Sequence, residues 1–426
     1  MGWWTYGFIA MITLGVSIIA MVLIGTRITV RYKVAEAGSM ADPGFVVTLE
    51  ALTNSSSATA TAIRFYGDVE SIYEAMLEAI ASAERSVTFE TYLFWPGAIG
   101  DRFGEALMER ARAGVHVKVL LDADGCRKLP RRFKHALREA GCEVKLFRPL
   151  VWYQPIQYNH RTHRKILVID GKVGFTGGIG VADMWYGPPA WLETMVRLEG
   201  DVVGLLQGAF FQNWVISGGA LSLGENYFPR RPGPGELAKS EAAIAHAMVT
   251  TSSPIWGDSS MRLLYYTAIG SAEKRILLAS PYFLPNWDTA ALFSAAAARG
   301  VDVRLLLVGP ENDKKLPWYA SRRLYGHLIA AGVRIYEYQP AMMHAKFMVI
   351  DDRWTTIGST NFDPRSFFLN SEVNASVDDA AFASEVTDFF EASLKDAKEI
   401  TYEMWRRRGL WEHFAGWLGL IFKDQL

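Results

Sequence analysis

Cysteine is nearly absent from this chain. Cys126 and Cys142 are the only two in 426 residues, and neither sits at a spacing that suggests a zinc site or a disulfide framework. Both read as reduced, structural residues. An excess of charge is also missing, since 44 basic residues face 45 acidic ones. Proteins whose main work is to coat nucleic acid usually carry a large basic surplus, so no nucleic-acid partner is expected. The local basic cluster Arg127, Lys128, Arg131, Arg132, Lys134 and Arg138 reads equally as a contact for anionic headgroups or as a solvated helix face. Apolar residues make up half of a length that exceeds one ordinary domain, which is enough for a large core or two.

Charge disappears altogether from Trp3 to Gly25, a run of 23 residues. As a helix this run is long enough to cross a hydrocarbon layer of roughly 30 Å. No basic segment precedes it, which favours a retained transmembrane anchor over a cleaved signal peptide. Arg27, Arg31 and Lys33 all follow it, so the positive-inside rule places the bulk of the chain in the cytoplasm. Near the other end, Arg406, Arg407 and Arg408 precede Leu410, Trp411, Phe414, Trp417, Leu418 and Ile421, one apolar stripe at helical spacing. That stripe either lies in a membrane interface or docks onto the folded domain.

Between these ends the chain repeats itself. Strand-like Ser86–Phe94 corresponds to Arg275–Phe283, Val115–Leu121 to Val301–Leu307, and the stretch from Ala140 to Phe147 to that from Ala331 to Tyr338. Helix-like segments ending in glycine separate them. Strands alternating with helices in this way predict an α/β protein of two similar halves. Each half ends in the same spacing: His163-x-Lys165-x4-Asp170 with Gly177-Gly178, and His344-x-Lys346-x4-Asp351 with Gly358-Ser359. One copy arises by chance on the order of a few hundredths of a time per chain. Two copies in equivalent places do not.

Side chains two apart on a strand share a face, which puts each histidine beside its lysine and lets both pairs line one cavity. Two such pairs would be costly to bury without an anionic partner. Asp170 and Asp351 have the opposite parity and are expected to hold a turn or the contact between halves. His160 and His327, outside any such pattern, read as ordinary structural histidines. Tyr92 and Tyr282 occupy matching strand ends, where packing in the core is at least as plausible as contact with substrate.

The paired motifs resemble the phospholipase D superfamily, from about Arg64 to Asp396. Glu90-Thr-Tyr-Leu-Phe94, Ser280-Pro-Tyr-Phe-Leu-Pro285, Asn361-Phe-Asp-Pro-Arg-Ser366 and Leu369-Asn-Ser-Glu372 are similar to the bacterial cardiolipin synthase type. The resemblance implies ping-pong phosphatidyl transfer between two phosphatidylglycerol molecules through a phosphohistidine, with glycerol released. His163 would attack and His344 would serve as acid and base, the reverse assignment being the alternative. It further implies that Lys165 and Lys346 neutralise the phosphate, so that neither cofactor nor metal is expected. Glu193 and Glu372, 30 and 28 residues after the histidines, would orient the imidazoles. Asn361 and Ser359 would donate to phosphate, although their first-half counterparts are Gly180 and Gly178. The rival enzymatic readings are a hydrolytic phospholipase D and a nuclease of the same superfamily.

The expected organisation is an anchor over 1–30, a linker over 31–62, a first half with an insertion over 63–245, a second half over 246–398 and an amphipathic tail over 399–426. Each half should be a mixed sheet flanked by helices. The expected setting is a bacterial cytoplasmic membrane, with the catalytic part on the cytoplasmic side and phospholipid as partner.

Overall fold

The computed structural model describes residues 3–25, 34, 38–42, 44–152, 155–229, 245–253 and 260–421. Arg27, Arg31 and Lys33 lie outside them, as do residues 230–244. Two helices, α1 (Trp3–Gly25) and α2 (Gly44–Thr53), precede strands β1 (Ser56–Ala60) and β2 (Ala62–Tyr66). The first half continues with α3 (Val69–Ala81), β3 (Ser86–Thr91), α4 (Ala98–Arg112), β4 (His116–Asp122), α5 (Arg131–Glu139) and β5 (Glu143–Phe147). It closes with β6 (Arg161–Thr162), β7 (Ile166–Ile169), β8 (Val173–Gly177), β9 (Met195–Glu199) and α6 (Val202–Ile216).

The second half repeats the plan with β10 (Ala245–Ser252), α7 (Ser260–Ser271), β11 (Arg275–Ser280), α8 (Trp287–Ala298), β12 (Asp302–Val308), α9 (Lys315–Ala330) and β13 (Arg334–Tyr338). Then come β14 (Phe347–Ile350), β15 (Trp354–Gly358), α10 (Pro364–Phe368), β16 (Asn370–Asp378), α11 (Ala380–Leu394), β17 (Ala397–Glu399), α12 (Tyr402–Arg406) and α13 (Leu410–Ile421).

In the first sheet the strands run in the order β2-β9-β8-β7-β3-β4-β5, and in the second β1-β10-β16-β15-β14-β11-β12-β13-β17. Of the parallel strands, β3, β4, β11, β12 and β13 are buried over most of their length, whereas the outer β5 is only partly covered. The two motif strands take the same register: Val87 pairs with Ile169 and Ile276 with Ile350. Helices α6 and α11 lie between the sheets, where Phe210, Trp214, Val386 and Phe390 join Ile166, Val168, Phe347 and Val349 in one core. The remaining apolar faces pack outward, under α3, α4 and α5 on one side and under α7, α8 and α9 on the other.

One sequence expectation needs correction, and another is decided between its two alternatives in favour of the turn. The stretch 31–62 is more than a linker, because it carries α2, whose Phe45 and Leu49 are buried in the second core, and β1, which pairs with β10 at the edge of the second sheet. The hairpin aspartates join strands within their own half and not across the halves. Asp170 accepts the backbone N–H groups of Glu84, Arg85 and Ser86, and Asp351 those of Glu273, Lys274 and Arg275. Both turns need left-handed backbone at consecutive residues, with φ of 54° and 64° at Asp170 and Gly171 and of 53° and 58° at Asp351 and Asp352. Helix α1 is continuous over 23 residues, but several of its side chains fall outside the described set. Among the described residues no helix is long and apolar enough to cross a membrane.

Candidate active site

The two histidines arrive by the same route. After β6 the chain crosses to the other half, where the His163 N–H donates to Ser371 O at 2.9 Å and β6 runs parallel to β16. In mirror fashion the His344 N–H donates to Leu192 O at 2.7 Å, beside a parallel bridge between Leu192 and Met343. Each histidine is thus clamped to the partner half's chain just before that half's glutamate. Glu372 accordingly faces His163, with Nδ1 3.0 Å from both carboxylate oxygens, and Glu193 faces His344 at 2.5 Å. The orienting carboxylates are exchanged between halves, so neither half holds a complete site.

With Nδ1 committed to a carboxylate, each imidazole presents Nε2 as its free nitrogen. His163 and His344 line one cavity of about 220 Å³, together with Lys165, Tyr92, Trp185, Trp191, Tyr282, Asp313 and Lys314. The motif residues lie in the segments that lead into β7 and β14, not within the strands. Each lysine ammonium donates to the carbonyl of its own histidine, at 2.7 Å for Lys165. Lys165 lines the cavity, whereas Lys346 is wholly buried and does not.

Burial, and then the neighbouring lysines, set the protonation of the site. Burial lowers His163 well below its ordinary range, and Lys165 and Lys346 add to the effect. His344 falls to about 4 through burial and Lys346, against the pull of Glu193. Burial also brings Lys165 down to about 7 and Lys346 to about 8, with Glu372 and Glu193 respectively opposing. The carboxylates diverge. Burial lifts Glu372 to about 7, whereas at Glu193 the same burial is outweighed by His344, Lys346 and hydrogen bonds, which hold it below its usual value.

Ser359, expected to face phosphate, is turned away: its hydroxyl donates to Glu372 and accepts from the Val373 N–H. In the first half Gly178 stands in that place, and a Cβ there would come within 2.2 Å of Glu193 Oε1. Glu193 therefore rests against bare backbone, supported by the Thr194 N–H at 3.0 Å and Trp185 Nε1 at 3.3 Å. Asn361 is buried without lining the cavity, and its carboxamide oxygen has no hydrogen-bond partner among the described residues. Arg164, between His163 and Lys165, is buried and donates to the carbonyls of Glu372, Ala209 and Ser252, which ties the halves together. Ala345 occupies the equivalent place in the second half.

Sequence reasoning left Tyr92 and Tyr282 undecided and passed over Trp185, Asp122 and the role of Glu90. Tyr92 packs edge-on to His163 at 5.2 Å, and the Tyr282 hydroxyl donates to Asp313 at 2.7 Å, so both tyrosines belong to the cavity. Trp185 and Trp191 flank the His344 ring, each with its centroid 5.7 Å away. Glu90 accepts from the Thr162 hydroxyl and Asp122 from the Thr162 N–H, which fixes the residue preceding His163. Burial raises these two carboxyls to about 7 and about 6. A carboxylate at or next to the C-terminal end of a buried strand was the signal for both. His160 and His327 stand apart from the cavity; His160 Nδ1 lies 3.2 Å from Leu369 O, and His327 meets the edge of Trp287.

Two histidines in one cavity at the seam of two α/β halves, each followed by its buried lysine, define a phosphodiester-processing site of the phospholipase D kind. The family model described as "Cardiolipin synthase, PLD-like domain" matches residues 76–186 and 265–394, more than half of the chain. Cardiolipin synthase 1 of Bacillus anthracis is 32% identical over 367 residues, covering 83% of this chain and 70% of that protein. Cardiolipin synthase of Geobacillus kaustophilus is 35% identical over 359 residues with the same coverage. The chain belongs to the cardiolipin synthase family with phospholipase D-like domains. Among solved structures, the phosphatidylserine synthase of Haemophilus influenzae has a similar fold, with a TM-score of 0.67 at 13% identity, covering 90% of this chain and all of that one.

Proposed function

We propose that the protein transfers a phosphatidyl group from one phosphatidylglycerol to the hydroxyl of another, giving cardiolipin and glycerol. The observation that carries this reading is the pair of histidines in one cavity, each with Nδ1 on a carboxylate from the other half. His163, held deprotonated by burial beside Lys165 and Lys346, attacks phosphorus through Nε2 while His344 protonates the departing glycerol oxygen. The phosphorus–oxygen bond breaks as the phosphorus–nitrogen bond forms. Glu372 balances the positive charge on the phosphorylated ring. His344 then takes the proton of the second lipid's hydroxyl, whose oxygen displaces His163. An entering phosphodiester adds negative charge and draws His344 and the lysines back toward their protonated forms. Lys165 faces that charge directly, and Lys346 acts on it from beneath.

The uncharged run Trp3–Gly25, 23 residues at about 1.5 Å each as a helix, supports reading that segment as a membrane anchor, with the catalytic halves on the cytoplasmic side of a bacterial inner membrane. Such an anchor raises the effective concentration of lipid substrate at the site. The test is incubation of purified enzyme with phosphatidylglycerol in mixed micelles, products being identified by mass spectrometry beside a His163→Ala control. Cardiolipin that vanishes in the variant supports the reading. Phosphatidic acid alone makes the protein a hydrolase.

A further inference from the structure

Helix α13 docks onto the second half by its smallest residues. Ala415, Gly416 and Gly419 are buried, and a Cβ on Gly416 or Gly419 would come within 2.8 Å of Tyr319 O or 2.9 Å of Leu316 O on α9. The bulky residues of the same helix point the other way. Leu410, Trp411, Phe414, Trp417 and Ile421 are 89, 67, 52, 51 and 47% exposed. Their rings form a continuous ridge, with centroids 5.9 Å apart from Trp411 to Phe414 and 6.3 Å from Phe414 to Trp417. The stripe seen in the sequence is thus turned outward on a helix that is already docked by its opposite face.

Two further observations name what covers the ridge. The first is charge: Arg406 and Arg407 beside the helix, Lys314 just before α9, and Lys315 and Arg323 on α9 are exposed. In a two-fold contact between copies these cations would meet their own kind, whereas anionic headgroups complement them. The second is continuity with the catalytic mouth. Gly419 packs on the first turn of α9, and Lys314, the residue before that helix, lines the catalytic cavity. That cavity, about 220 Å³, equals the volume of about seven waters. It has room for a phosphodiester and a glycerol but not for diacyl chains, which must lie in an apolar medium next to the mouth.

We infer that α13 lies in the lipid–water interface of an anionic bilayer, with its aromatic ridge among the acyl chains and Arg406 and Arg407 on headgroup phosphates. This contact is additional to the anchor proposed for Trp3–Gly25 and holds the catalytic mouth against the surface from which substrate is drawn. The argument from cavity volume rests on the lipid reading of the catalytic site, whereas the exposure, charge and docking of α13 do not.

The experiment uses the full chain in nanodiscs containing phosphatidylglycerol, with an environment-sensitive fluorophore on Phe414→Cys and, separately, on Glu84→Cys. Cys126 and Cys142 are buried, and burial pushes both thiols up, Cys142 to about 11, which directs labelling to the new site. Glu84 is exposed at the end of β3 opposite the catalytic face. The expected result is blue-shifted emission at 414, quenched by lipid-borne nitroxides and not by iodide, with the reverse at 84. Iodide quenching at 414 equal to that at 84 overturns the proposal. So does a 414 label shielded from both quenchers and exposed on dilution, which marks a contact with a second copy.

A second readout uses the triple variant Trp411→Gln, Phe414→Gln and Trp417→Gln. Turnover on vesicles should fall about tenfold or more, while turnover of dispersed short-chain phosphatidylglycerol stays within about twofold. Equal loss on both substrates overturns the inference. The labelling result stands whichever product the enzyme makes, so failure of the lipid-transfer reading is distinguishable from failure of this one.

Discussion

His163 and His344 occupy the same motif in different electrostatic surroundings. The partner of His344, Glu193, is held below its usual pKa and rests against bare backbone at Gly178. The partner of His163, Glu372, is raised to about 7 and shares its oxygens with the Ser359 hydroxyl and the Asn370 carboxamide. A firmly ionised carboxylate stabilises an imidazolium, which suits the residue that must hold and return a proton. A weaker one leaves the imidazole neutral, which suits the residue that must attack. The duplicated unit has therefore diverged in the supports of its histidines while keeping the histidines themselves.

The largest effect should come from the histidines. His163→Ala and His344→Ala should each lower turnover about a thousandfold or more, since the two act as one unit. Rapid quenching of the wild type with labelled lipid should place the covalent phosphatidyl group on His163, and a label on His344 would reverse the assignment. Next come the carboxylates. Glu193→Gln should cost about a hundredfold and Glu372→Gln about tenfold, because Glu372 already carries a proton part of the time near neutrality. Equal losses in steady-state assays would erase the distinction drawn between the halves.

Gly178→Ser tests the asymmetry directly. The added side chain must displace Glu193, so activity should fall about tenfold or more while Ser359→Gly, which only removes a donor to Glu372, costs less. A pH series sharpens the same contrast. Lysines are charged below their pKa, so kcat/KM, which reports the free enzyme, should fall as pH rises through about 7, where Lys165 loses its proton, and more steeply beyond about 8, where Lys346 follows. A profile that is flat to pH 9 would remove the lysines from that role. The smallest effect on chemistry belongs to the turns. Asp170→Ala and Asp351→Ala each strip acceptors from three N–H groups and should cost about 2–3 kcal/mol in urea unfolding with little change in KM.

The strands were legible because burial imposes a pattern on them. Ile166–Ile169 and Phe347–Ile350 lie where their apolar runs predict, and the hairpins turn at Asp170 and Asp351. Strand β1 was missed because Ser56–Ala60 is small and polar, an edge strand whose pairing with β10 supplies what its side chains do not. Tyr92 and Tyr282 were ambiguous since an aromatic at a strand end serves a core or a cavity equally well, and only the closure of the halves decides which. Ser359 was read as a phosphate donor because its distance from His344 along the chain does not reveal which way a hydroxyl turns.

By itself the sequence determined the duplicated α/β plan and the chemical identity of the catalytic groups, because periodicity and spacing are local properties that each half carries alone. The exchange of Glu193 and Glu372 between halves belongs to the tertiary structure. It depends on the crossing of β6 onto β16 and of Leu192 onto Met343, contacts between residues far apart in the chain. The outward turn of the Trp411–Ile421 ridge has the same origin. A helix with two faces able to pack takes the one whose small residues fit closest to its neighbour, and that choice is made by the surface of α9.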